Sequence, residues 1–542
     1  MFGGTLSKEL HKPYFLWIAK LFEAHPEAEV FLVGGAVRDA VMRRATRDYD
    51  FAVRGVQARK LQEFLASEGI VNLVGRNFGV YKFIPDEGYD EFKAASLESF
   101  DVALPRTEHA WGTGGYRDVE VQSDHGLAIE EDLGRRDFTI NAMALRLKSE
   151  IRNPKSETNP NEQNSKLELI DPFGGMKDME KKVIRAVGQP RERFDEDYTR
   201  MLRALRFACA FGFAVEGATM DALKAVMPRI NDKRADAPRP VLSPLAEFVS
   251  PREMVSEEML KAFYADPVRA FDLYDESGAF EMLMPELLKM KGCPQPEEYH
   301  SEGDVWAHTK LALKVLGSEE YAATFGYTEV QPLGLRSQRL NLNALLIMAI
   351  LLHDIGKPPM LKTPEEHGVD RVRFDEHDTV GAELAREIAR RLVLSVMVEG
   401  PLHVDYDKLH WLIKHHLLLL HTKAEDFKAA TVEKYFFNDK NPGEELLRLA
   451  FCDGSATIPK GGTPTLQNLF DMQARIKRME AAIKEKRIPY KPVINGDEIM
   501  KILKIPAGPG VGEIIRALRE EQLSARITTK EEAMAWLEKE YG

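Results

Sequence analysis

The sequence predicts an α+β head, built on a small mixed β-sheet with helices, followed by an all-α body. Three observations carry this. Residues 29–53 pass from an apolar strand through a glycine turn and a short helix into a second strand. From about residue 175 onward the apolar residues recur at helical spacing. And 542 residues exceed what a single core organises, so several domains follow one another.

Within the head, "EVFLVGGAV" reads as strand and glycine turn, "RDAVMRR" as helix and "RDYDFAV" as strand. "ARKLQEFLASEG" is a further helix, and "VNLVG", "VYKFIP" and "SFDVALPR" are further strands. The body reads as helices in "DEDYTRMLRALRFACAF", "DPVRAFDLYDESGAFEMLM", "LNALLIMAILLHDIG", "HWLIKHHLLLL" and "DMQARIKRMEAAIKEK". Residues 149–166, polar and rich in Asn, Pro and Ser, read as a disordered insertion, and 230–244 as a linker or exposed turn. The expected order is a head at 1–148, the insertion, a helical neck at 167–285, a second functional domain at 286–460 and a helical tail at 461–542.

The composition, 44% hydrophobic and 30% charged, is that of a globular protein. No apolar run has the length of a membrane span and the first residues lack the order of a signal peptide. Cys209, Cys293 and Cys452 stand far apart without metal-pair spacing, as suits a reducing, cytoplasmic setting. The net charge of −12 speaks superficially against a nucleic-acid partner. Yet residues 181–240 hold thirteen Lys/Arg against eight Asp/Glu, a basic zone able to grip RNA.

Asp48 and Asp50 stand two apart at a strand, so both project from one face and can share divalent metals. Two such metals activate an attacking hydroxyl and stabilise a leaving pyrophosphate. Asp101 is the candidate third carboxylate, from a neighbouring strand. Gly34 and Gly35 let backbone amides approach a phosphate, and Arg38 follows them. Each signal alone is more often structural. In fixed order, "GGAVRD…RDYDF" resembles the signature of the nucleotidyltransferases that include tRNA CCA-adding enzymes and bacterial poly(A) polymerases, with their polymerase-β-like head.

That resemblance continues. "EEDLGRRDFTINAMAL" is similar to the family's second motif, which implies that Arg135, Arg136 and Asn141 hold the incoming nucleotide and sense its ribose. "RFDEDYTRMLRALRF" matches a Glu-Asp-x-x-Arg motif in Glu196, Asp197 and Arg200. Helical spacing sets Asp197 and Arg200 one turn apart, and the resemblance implies that they read the base of CTP or ATP without a nucleic-acid template. Arg203 and Arg206 continue that face toward triphosphate or base. The Gly-rich "WGTGGYRD" looks like the loop that full CCA addition requires.

Downstream, His308, His353–Asp354, His377, His415–His416 and Asp453 follow one another on successive helices. Imidazole and carboxylate suit a divalent transition metal or Mg²⁺ able to activate water for phosphoester hydrolysis. The order resembles an HD-superfamily phosphohydrolase domain. His300, His367, His403, His410 and His421 are read as structural or solvated. In the tail, "PAGPGVGEIIRAL" is either a row of amides for an RNA phosphate or a plain helix turn.

The resemblance implies a tRNA nucleotidyltransferase that adds CCA from CTP and ATP using Mg²⁺ at Asp48 and Asp50, with tRNA as partner and no membrane. The sequence carries no signal of oligomeric state. Two alternatives stay open: a poly(A) polymerase of the same fold, and an HD phosphohydrolase whose head is a degenerate RNA-binding module.

Overall fold

A computed structural model describes residues 6, 9–74, 79–115, 118–148, 167–234, 247–328, 339–340, 342–395, 400–438, 440–485, 492–524 and 526–542. The insertion expected at 149–166 lies outside the described residues. The chain divides near Leu283–Met284 into two compact units.

The first unit is built on a seven-stranded mixed sheet. Its strands are β1 (Glu29–Val33), β2 (Asp50–Arg54), β3 (Gly69–Val74), β4 (Val80–Pro85), β5 (Phe100–Ala103), β8 (Ala144–Leu147) and β9 (Leu167–Ile170). Two further strands, β6 (Arg106–Ala110) and β7 (Val119–Ser123), form a separate hairpin. The sheet order is β3-β4-β5-β2-β1-β8-β9, with β2 and β5 the parallel pair at its middle. Alternation along each strand gives the sheet two unlike faces. On one, Phe51, Phe83 and Phe100 pack with Trp17 and Phe15 in an aromatic cluster, with ring centroids 5.0–6.4 Å apart. Each such ring contributes about 1.5–3 kcal/mol by leaving water. On the other face Phe31, Val33, Ala52 and Ala144 pack against Ile129 and Leu133, while the remaining positions carry polar groups.

Past the sheet this unit is helical, with Pro190–Glu196, Thr199–Phe211, Gly217–Val226, Arg252–Ala265 and Pro267–Glu276. The helix expected over "DPVRAFDLYDESGAFEMLM" is broken at Ser277–Gly278, where Gly278 takes φ 76°.

The second unit is all-helical in its longer elements. Ala344–Leu352 is buried at every residue and sits among Val305–Val315, Tyr406–His415 and Gly443–Ala456. At its end Gly496–Leu503, Pro509–Leu523 and Lys530–Tyr541 close a small core of their own around Ile494, Ile499, Leu518 and Leu537. No described helix is long and apolar enough to cross a membrane, and the three cysteines are buried free thiols.

Candidate functional site

Strand pairing alone assembles the first site. Asp50 of β2 lies opposite Asp101 of β5, and Asp101 lies opposite Lys82 of β4. Partners in register project from one face, so Val33, Asp50, Asp101 and Lys82 form a row across four strands. Their neighbours Phe51, Val102, Tyr81 and Phe83 are buried on the opposite face. Asp48 is not in the strand, which begins at Asp50. It enters from the preceding segment, where its backbone amide and carbonyl both bind the Thr46 hydroxyl, at 3.3 and 3.1 Å.

The carboxylates crowd one another. Burial first, and then the charge of Asp48, push Asp50 up to about 6. Burial and the charge of Asp101 raise Asp48 likewise. A donor set that resists its own ionisation in this way suits a divalent cation. Lys82 Nζ lies 2.6 Å from Asp101 Oδ1.

A cavity of about 730 Å³ opens on this row, lined by all three carboxylates and by Gly34, Gly35 and Arg38. Gly34 takes φ 71°, and a Cβ there would lie 2.7 Å from Arg136 Nη1. Only glycine makes this turn without strain. Arg38, on the helix Gly35–Val41, is fixed by an Nη1 bond to Asn141 Oδ1 (2.8 Å) and by the Phe211 ring, 4.8 Å away. Arg135, Arg136 and Asn141 also line the cavity. Buried Asp132 orients both arginines, with its Oδ1 2.9 Å from Arg135 and its Oδ2 3.2 Å from Arg136. Burial would raise the Asp132 carboxyl, but the two guanidinium charges hold it below the usual range.

Asp197, Arg200, Arg203 and Arg206 complete the lining; Glu196 does not reach it. Glu196 instead accepts from Arg200 at 2.5 Å and pairs with Arg193 at 3.1 Å. The single helix expected here is two, Pro190–Glu196 and Thr199–Phe211, with Asp197 extended between them (φ −153°, ψ 107°). Asp197 Oδ1 accepts from the Thr199 amide (2.9 Å) and hydroxyl (2.6 Å), so it caps the second helix. The turn-apart spacing thus gives way to a capped break, and both side chains still face the cavity. Arg203 pairs with buried Asp137 at 2.8 Å, and Arg206 with Glu258.

The Gly-rich stretch forms the tip of the β6–β7 hairpin; its residues 116–117 lie outside the described residues. The Gly114 carbonyl accepts from the Tyr198 amide at 3.1 Å, and Asp118 pairs with Arg234 at 3.2 Å. The tip is therefore tethered beside Asp197. Arg106, Glu108, Asp132, Asp137 and Phe207 line the cavity without having been singled out in the sequence.

The second unit brings His308, His353 and Asp453 together, and beside them Asp354, His377 and His416. Each imidazole is held by Nδ1: His353 by the Ile350 carbonyl (2.8 Å), His377 by that of Phe374 (2.7 Å), His416 by that of Ile413 (2.6 Å), and His308 by Glu302 (2.9 Å). This leaves every Nε2 turned toward the two carboxylates. The Nε2 atoms of His377 and His416 are buried, bond no described residue, and lie 3.6 and 3.7 Å from the same Asp354 oxygen. That is too long for a hydrogen bond and right for a shared cation. Burial keeps His377 and His416 neutral, His416 down at about 4. Burial opposes charge on His308 too, but hydrogen bonds to Asp453 and Glu302 raise it to about 9. A divalent ion would displace that proton. Gly356 permits the close packing, since a Cβ there would stand 2.0 Å from the His377 carbonyl.

One expectation is corrected here. His415 is not part of the group: its Nδ1 binds the Trp411 carbonyl at 2.7 Å and its ring stacks on Trp411 at 4.5 Å. Adjacent residues on a helix point about 100° apart, and the helix stops after His415, so His416 alone turns inward. His300, read as structural or solvated, binds Glu302 at 2.7 Å, and so joins the support of His308. Glu302 itself, and Lys357 at 2.7 Å from Asp354, carry no sequence pattern that singles them out.

Residues 30–185 match the poly A polymerase head domain family, and residues 332–452 the HD domain family. The A-adding tRNA nucleotidyltransferase of Deinococcus radiodurans is 27% identical over 509 residues, 94% of either chain. The multifunctional CCA protein of Alkalilimnicola ehrlichii is 32% identical over 368 residues, 67% of this chain and 70% of that one. Among solved structures, a CCA-adding enzyme in apo form II shares the fold with TM-score 0.56 and 19% identity, over 99% of this chain and 96% of that one. The Thermotoga maritima CCA-adding enzyme complexed with tRNA does so with TM-score 0.52 and 19% identity, over 97% and 94%. With the mixed-sheet head, its carboxylate cavity and the His/Asp group all in place, the chain belongs to the multifunctional CCA protein family.

Proposed function

We propose that this protein is a tRNA nucleotidyltransferase of the cytoplasm that adds C, C and A to the 3′ end of tRNA from CTP and ATP. One observation carries the reading: residues from three separate motifs converge on one cavity. Asp48, Asp50 and Asp101 would hold Mg²⁺, which supplies activation of the attacking hydroxyl and charge neutralisation at the leaving pyrophosphate. The amides after Gly34 and the Arg38 guanidinium bind the triphosphate, with Arg135, Arg136 and Asn141 holding the nucleotide. Asp197 accepts from, and Arg200 donates to, the Watson–Crick edge of cytosine or adenine. Glu196 keeps Arg200 in place, while Arg203 and Arg206 add positive charge. No template strand is required when the protein itself presents this edge.

The same chain carries a metal-dependent phosphoesterase in its second unit. His308, His353, Asp354, His377, His416 and Asp453 would hold the divalent ion that activates water there. His415 is left out.

Incubating tRNA that ends before CCA with CTP, ATP or both tests the first reading. Addition of two C residues followed by one A is the expected result; long A-tails without use of CTP would overturn it. A second reading, addition of the terminal A alone, is favoured by the Deinococcus radiodurans relative that spans 94% of this chain. It requires ATP incorporation only into tRNA already ending in CC.

A further inference from the structure

The carboxylate row holds a residue that the proposed chemistry does not use. Lys82 lies directly opposite Asp101 in the β4–β5 pairing, and Tyr81 and Phe83 on either side are buried in the core of the opposite face. Strand alternation therefore commits position 82 to the face of the carboxylates. A cation stands there, with Nζ 2.6 Å from Asp101 Oδ1, where a divalent ion shared with Asp50 would also bind.

We propose that Lys82 is a tethered cation that holds the Asp101 end of the carboxylate row and competes with a divalent ion for it. The inference rests on the reading of Asp48, Asp50 and Asp101 as metal ligands. An ammonium on a flexible four-carbon stem can neutralise a carboxylate and then swing away, since its side chain is nearly half exposed. Divalent binding at Asp101 thus proceeds by exchange: the lysine leaves as the ion enters. The protein holds its carboxylates together without metal and gives up divalent affinity in return.

The test is Mn²⁺ binding by the full chain, followed through the paramagnetic resonance signal of free Mn²⁺. The share of the head is the part lost in the double variant Asp48→Asn, Asp50→Asn. In Lys82→Met and Lys82→Gln that share should bind about tenfold tighter, the size of effect one opposite charge within contact distance exerts. Lys82→Arg, which keeps the charge, should bind as the parent does. The Mg²⁺ concentration giving half-maximal nucleotide incorporation should fall in parallel. Equal or weaker Mn²⁺ affinity in both neutral variants overturns the competition. Mn²⁺ binding unaffected by Asp48→Asn, Asp50→Asn overturns the metal reading of the head itself.

Discussion

Gly34 shows how little freedom a single position has at this site. A side chain there must adopt φ 71° and push against Arg136. Gly34→Ala should lower the rate of nucleotide incorporation by about tenfold or more, because left-handed backbone alone costs an L-residue about 1–2 kcal/mol; steady-state assays with CTP measure it. Asp137 makes a different point. Burial would raise its carboxyl, yet Arg203 and Arg200, with hydrogen bonds from Asn141 and Phe138, hold it below the usual range. A depressed carboxyl stabilises above its unfolded value near pH 4 and loses that contribution as pH falls through the folded value. Asp137→Asn should therefore lower the melting temperature by about 2–4 °C at pH 7, and by progressively less as the pH falls from near 4 through the folded value. Unchanged melting at pH 7 would refute it. At this scale the sequence was readable where a residue type is chemically committed. The glycine turn, Asp50 and the basic residues all line the cavity. It could not choose between His415 and His416, nor find Glu302, because both questions depend on which way a side chain turns.

At the scale of elements, the break between Pro190–Glu196 and Thr199–Phe211 carries the most consequence. Neither Pro nor Gly marks it, so periodicity runs straight through and predicts one helix. What stops the helix is the carboxylate of Asp197 taking the amide and hydroxyl of Thr199. Asp197→Ala removes an N-cap worth about 1 kcal/mol together with the proposed acceptor for the base. It should raise misincorporation of UTP and GTP relative to CTP and ATP, whereas Thr199→Val, which keeps the carboxylate, should raise it less. Primer-extension with single nucleotides reads this directly, and unaltered selectivity in Asp197→Ala would remove Asp197 from base reading. Strands were legible where they alternate, as in β4. Their pairing was not, because nothing local dictates that β5 should insert beside β2 rather than follow β4 to an edge. Lys82 was invisible for that reason.

The molecule as a whole holds two acid-rich centres, each in its own compact unit. Their donors differ in kind. The head offers carboxylates, which suit Mg²⁺; the helical unit offers imidazoles with carboxylates, which suit transition metals as well. The two proposed activities should separate by mutation: Asp48→Ala abolishes CTP incorporation and leaves phosphoester hydrolysis, and His353→Ala does the reverse. Loss of both activities in either variant would show the centres to be interdependent. That a mixed-sheet head precedes a helical body could be read from the sequence, because the period of the apolar residues changes from two to 3.6 near residue 175.

The parallel pairing of β2 with β5 has a kinetic consequence. These strands are neighbours in space but separated in sequence by a helix, the β3–β4 hairpin and another helix. Such a long-range closure forms late, after local hairpins have zipped. Asp50 and Asp101 meet only when it forms. A folding intermediate with its helices and hairpins intact would have no paired carboxylates, so during refolding the return of nucleotide incorporation must lag behind the return of secondary structure.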